Sequence, residues 1–125
     1  MAKDKTTLSF EKLNVYQLSE ALGDLVWDMV FVWKPFPRDT VGKQLVKSAD
    51  SIGANIAEGT GRGTYQDNRR FVRTARASLY ETRHWLRRAY RRNLLSADQT
   101  EALKPLLDEL SPRLNAYLKS IGPSE

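Results

Sequence analysis

Val15, Leu18, Leu22, Leu25, Met29 and Val32 are separated by 3, 4, 3, 4 and 3 positions, and a similar alternation returns in Leu103, Leu107, Leu110, Leu114, Tyr117 and Ile121. Side chains three or four apart share one face of an α-helix, so each series predicts a helix with an apolar seam that other helices must cover. Two further stretches between them carry helical spacing: Val41, Leu45, Ala49, Ile52 and Ile56, then Phe71, Ala75, Ser78, Leu79, Thr82, Trp85, Leu86 and Ala89. No stretch alternates with the period of a strand.

The breaks between these periods set the connections. Helix one is expected over residues 9–33 and stopped by Pro35 and Pro37, which lack backbone donors and push their predecessors out of helical geometry, placing a turn at 34–38. Helix two is expected to take Asp39 as its cap and to end where Gly59 and Gly61 supply left-handed geometry, with a turn at 59–63. Within it Ala49, Gly53 and Ala57 recur every four residues, a seam that lets another helix approach closely. Thr64 with Asp67, a variant capping box, opens helix three, which runs to about Asn93, and Ser96 with Gln99 opens helix four after a turn at 93–95. Pro105 and Pro112 are seven apart and share a face off the apolar seam, so helix four is expected to continue through them with a bent outer edge. Four amphipathic helices with short connections predict an all-α, up-down-up-down antiparallel bundle over residues 10–121, flanked by an N-terminal extension (1–9) and a C-terminal tail (122–125).

Charge is local. Between Arg62 and Arg92 stand ten arginines against two acids, a balance of +8 in a chain whose net charge is +5. Arg69, Arg73, Arg76, Arg83, Arg87 and Arg91, with Tyr80 among them, fall within an arc of about 80° on helix three and extend ~33 Å along it, a length suited to a polyanion. The absence of cysteine removes disulfides and thiolate metal sites. The opening residues carry no apolar run of the signal-peptide kind, and the longest apolar stretch, 29–33, is too short to span a bilayer, so a cytoplasmic protein without membrane association is expected.

No constellation of catalytic residues is readable, and neither cofactor, metal nor small-molecule substrate is expected. His84, the only histidine, has Glu81 one turn away, but zinc needs three or four ligands. Gly59, Gly61 and Gly63 lack the preceding strand and the following Lys-Ser or Lys-Thr of a phosphate loop. Glu58 lies in the last turn of helix two, where the helix dipole disfavours a negative charge, so it needs a partner. Asn55, Glu58 and Arg62, with Gly59 and Gly61, are therefore read as a structural lock at the corner between helices two and three. On helix one, Val26, Val30 and Trp33, with Trp27 and Phe31 between them, form a second apolar face, from which Trp27, Phe31 and Trp33 are expected to bury area between subunits.

Three blocks carry a resemblance: Phe10-Glu11-Lys12-Leu13-Asn14-Val15-Tyr16-Gln17, the segment from Ser51 to Arg62, and Ser78-Leu79-Tyr80-Glu81. In this order they resemble the opening, the SIxxNIAEGxGR signature and the SLxE element of the 23S ribosomal RNA intervening-sequence proteins, which are related to the accessory variability proteins of diversity-generating retroelements. The resemblance implies a left-handed four-helix bundle assembled as a ring, a homopentamer above other counts, that binds RNA or DNA and has no established enzymatic activity. RNA is preferred over DNA on the resemblance alone. On that reading the arginine stripe and Tyr80 contact nucleic acid. The alternative is a protein-binding scaffold in which the arginines pair with acids of neighbouring helices or subunits, such as Glu20, Asp24, Asp28, Asp108 and Glu109.

Overall fold

The structure, a computed structural model, describes residues 9–123. Four long helices form the bundle and no strand occurs among the described residues. They are α1 (Asn14–Phe31), α2 (Lys43–Thr60), α3 (Tyr65–Arg91) and α4 (Ala97–Ser120). A 3-10 turn, Phe10–Lys12, precedes α1. Helices α1 and α3 each pack against both α2 and α4, with α2 against α3 the most extensive contact, so sequential neighbours adjoin around a square. Leu22, Val26, Leu45, Ile52, Ile56, Val72, Leu79, Leu110 and Leu114 are fully buried along its axis. Residues 1–8 of the expected N-terminal extension and residues 124–125 of the tail lie outside the described residues.

The first corner is tighter than the prolines suggest. The chain reverses within residues 32–34, and Pro35 opens a helical turn, Pro35–Pro37, as its first residue. A helix's first turn has no acceptor for its N–H groups, so proline costs nothing there and its fixed φ favours the helix. The turn expected at 34–38 is thus largely helical. It leads through a π-helical turn, Arg38–Gly42, into α2. Asp39 is not a cap: it sits inside that π turn, its Oδ1 3.0 Å from Arg38 Nε, and the capping position belongs to Lys34, whose side chain makes no cap bond.

Gly42 makes this corner possible. A methyl group there would lie 2.6 Å from Val30 Cγ1 and 3.3 Å from the Trp33 ring. Gly42→Ala is accordingly expected to lower stability by about 1–3 kcal/mol, the usual cost of overpacking, read as a fall in thermal midpoint with helicity retained below it.

At the second corner α2 continues through Gly59 to Thr60, and Gly61 has φ −93°, so neither glycine provides the expected left-handed stop. The positive φ falls instead at Gly63, φ 92°, in the turn beyond the helix end. Gly59 is small for a different reason: a side chain there would collide with Asn68 and come within 3.1 Å of Phe71 Cβ, where α3 crosses. Gly53 similarly admits the Tyr16 ring of α1, 3.4 Å from where a methyl would stand.

The remaining ends follow the sequence reading. Thr64 Oγ1 accepts from the Asp67 N–H at 3.1 Å, and Ser96 and Gln99 form a full reciprocal capping box. Asn93 adopts φ 61°, and Leu94 N–H donates to the Ala89 carbonyl at 2.9 Å, a left-handed helix stop that frees the chain for α4. Helix α4 runs through Pro105 and Pro112, both exposed.

Candidate nucleic-acid interface

Helix α3 buries Val72, Ala75, Ser78, Leu79, Thr82, Leu86 and Ala89, and this row aims the arginines to the other side. The stripe then divides in two. Arg69 Nη1 donates to the Ile121 carbonyl at 2.7 Å, Arg76 Nη1 to Asn115 Oδ1 at 3.1 Å, and Arg83 Nη2 to the Leu107 carbonyl at 3.3 Å. These three, seven residues apart, lean over the side of α3 that meets α4 and act as struts between the helices. Arg69 does so at the C-terminal end of α4, where unpaired carbonyls and the helix dipole both favour a cation. Arg73, Arg87 and Arg91 are exposed, and their side chains make no hydrogen bond or ion pair among the described residues. Tyr80, 56% exposed, stands in the same row.

Acids of the neighbouring helix do not neutralise this row. Asp108 Oδ2 is 3.0 Å from Lys104 Nζ and Glu109 Oε2 is 3.1 Å from Arg113 Nη2, both within α4. Arg70 pairs with Asp67 at 3.6 Å and, like Arg62, places its guanidinium over the Phe71 ring, at 4.6 Å and 5.2 Å respectively. Away from α3, Glu20 and Asp24 of α1 gather with Asp50 of α2 around a small cleft. There burial, then repulsion from Asp24, raises the Asp50 carboxyl above its usual range. Burial, with Glu20 and Glu11 adding to it, also raises the Tyr16 phenol. The bundle is therefore electrically polar, with an acidic flank between α1 and α2 and a basic α3.

A carboxyl whose folded pKa is raised binds more protons in the folded state, so it opposes folding as pH climbs from the usual aspartate value through the raised one. Asp50→Asn should therefore raise the thermal midpoint near neutral pH and leave it unchanged well below pH 4, an effect a pH series of melts will read.

The corner motif is built differently from the expected lock. Glu58 and Arg62 approach to 3.5 Å, but both are exposed, with side chains 54% and 42% accessible. Asn55 bonds neither of them; its Nδ2 donates to the Ser51 carbonyl at 2.8 Å and to Ser51 Oγ at 3.0 Å. Ser51 Oγ in turn lies 2.9 Å from Ser78 Oγ of α3. One turn along, Thr82 Oγ1 donates to the Ser78 carbonyl and lies 3.0 Å from Ser48 Oγ. The polar tie between α2 and α3 is this ladder of Ser48, Ser51, Ser78 and Thr82. Its signal in the sequence is small hydroxyls at three- and four-residue spacing on two facing helices, which the carboxylate–arginine pair overshadows. Glu58→Ala should consequently change stability by no more than about 1 kcal/mol, the ordinary range of an exposed pair, in chemical denaturation.

The second apolar face of α1 also divides. Val26 and Val30 are buried within the bundle and Trp33 packs half-buried on its core, because α1 has to cover both α2 and α4. Trp27 and Phe31 remain 55% and 70% exposed beside a groove of about 330 Å³ floored by Val30 and Val46. Tyr90, next to the buried Ala89, is 58% exposed. His84 is exposed, its ring edge-on to Trp85 at 4.7 Å. Among the described residues no helix is long and apolar enough to cross a membrane.

These features define a four-helix bundle with a basic third helix and the corner sequence SIGANIAEGTGR at Ser51–Arg62. The chain belongs to the 23S rRNA-intervening sequence protein family, which it matches over residues 11–116. A crystal structure of a protein with unknown function from the S23 ribosomal protein family of Bacteroides thetaiotaomicron VPI-5482 has the same fold, with a TM-score of 0.77 at 23% identity over 85% of this chain and 96% of that one. No curated protein matches the chain.

Proposed function

We propose that this protein is a non-enzymatic, cytoplasmic homo-oligomer that binds nucleic acid through the phosphate backbone, RNA before DNA. The observation that carries the reading is the row Arg73, Arg87 and Arg91, exposed and without side-chain partners among the described residues, along some 27 Å of a rigid helix. Arginine suits the task because its planar fork bonds two phosphate oxygens at once and stays charged at every physiological pH. The preference for RNA rests on the family's name. A closed ring, five subunits above other counts, repeats the row and multiplies weak contacts into avidity.

The competing reading keeps the oligomer but pairs the basic helix of one subunit with an acidic flank of the next, and the cluster of Glu20, Asp24 and Asp50 favours it. Fluorescence anisotropy with mixed-sequence RNA and DNA oligomers, repeated from ~20 to ~300 mM salt, separates the two. Backbone binding gives an affinity whose logarithm falls linearly with log salt. The scaffold reading gives no binding at any salt, and an assembly that loosens as salt rises.

A further inference from the structure

We propose that a cleft between α3 and α4 receives an unpaired nucleobase, making single-stranded nucleic acid the preferred ligand; this rests on the nucleic-acid reading above. The cleft has a volume of about 290 Å³ and an apolar floor formed by Leu86, Leu103 and Leu107. That is at the small end of ligand pockets, which run from ~300 to ~1,000 Å³, so it suits one flat ring system better than a large cofactor. Tyr90 stands at its wall with 58% of its surface open, an aromatic face on which a base can stack.

Charge selects the occupant. Arg87 and Lys104 carry the charge at the mouth, where Arg83 is tied to the Leu107 carbonyl at 3.3 Å, and the one acid there, Asp108, is held by Lys104 at 3.0 Å. A base is an uncharged apolar plate tethered to an anion, and the cleft offers its complement: an apolar floor inside a cationic rim. Arg87 belongs to both the cleft and the exposed arginine row, so a strand whose phosphates follow Arg73, Arg87 and Arg91 passes the opening. One turn of α3 separates Arg87 from Arg91, and Tyr90 lies between them in the chain. The Lys104 ammonium and Asp108 carboxylate add a donor and an acceptor for a base edge. A duplex keeps its bases stacked and paired, so it meets the arginines and leaves the cleft empty.

The test compares three probes of equal phosphate count by anisotropy: a single strand of mixed sequence, the same strand with abasic sites throughout, and a duplex, each in ribo and deoxyribo form. The expected result is that the base-bearing strand binds about 5- to 100-fold more tightly than the abasic one, the range that base–aromatic stacking provides. Tyr90→Ala should erase that difference while leaving abasic binding unchanged, and Tyr90→Phe should keep it. Equal affinity for base-bearing and abasic strands in both sugar forms overturns the cleft and leaves the phosphate row standing. Absence of binding to every probe at ~20 mM salt overturns both. If Tyr90→Ala instead changes the oligomer mass, the cleft is a contact between subunits and the proposal fails.

Discussion

Replacing Arg73 and Arg87 together by glutamine is expected to weaken nucleic-acid binding severely while leaving the melt unchanged. Both side chains are exposed and bond nothing among the described residues, so the fold loses no contact with them. Each phosphate contact removed should flatten the plot of log affinity against log salt by about 0.7 for a single strand or 0.9 for a duplex. In a ring the loss repeats in every subunit that touches the strand. The contrasting pair is Arg76 and Arg83. Because these two donate to Asn115 and to the Leu107 carbonyl of α4, their removal should lower the melting temperature. A drop in stability without a drop in affinity for Arg76/Arg83, and the reverse for Arg73/Arg87, is the signature of a divided stripe. Equal affinity losses from both pairs would mean that the struts also reach the ligand.

That division shows where sequence reading stops. Periodicity places all six arginines in one arc, but Arg69 and Arg87, eighteen residues or five full turns apart, share one angle, so the angle alone does not decide whether a long side chain leans onto α4 or into water. Neither composition nor spacing contains the position of the neighbouring helix. The same blindness explains Tyr90, whose angular position borders the core, and Val26 and Val30, which fill the bundle because α1 has to cover two neighbours. It also explains the corner motif, where a carboxylate and an arginine attract attention while four hydroxyls tie the helices together.

Helix ends were more legible when a side chain bonds its own backbone locally. Thr64 and Ser96 cap as their sequence context predicts, since the whole interaction lies within four residues. Pro35 and Gly59 read ambiguously for the opposite reason. Proline both breaks a helix and begins one, and glycine serves either as a left-handed stop or as a space for a neighbour. Only the packing of Asn68 and Phe71 against Gly59, or of Val30 against Gly42, decides between those uses.

Replacing Trp27 and Phe31 together by serine should convert the proposed oligomer into monomers. The two side chains lie one turn apart on α1, 55% and 70% exposed, and continue toward Val32 and Phe36 at 73% and 80%. An aromatic side chain presents some 150–250 Å² when fully open, so covering the exposed half of each is worth about 2–3 kcal/mol at the usual area coefficient. Loss of both in every interface exceeds what a subunit contact of ordinary size can spare, because association must first offset the loss of rotational and translational freedom. Within the subunit little changes, since these faces are already in water when it stands alone, and helicity should persist. Light scattering at micromolar concentration should show the parent at a multiple of 14.3 kDa and the double variant at that mass itself. A variant that keeps the parent's mass would move the interface elsewhere on the bundle, and a monomeric parent would end the ring reading. In that event the arginine row would have to bind as a single copy, with the shallow salt dependence of only a few phosphate contacts left to reveal it.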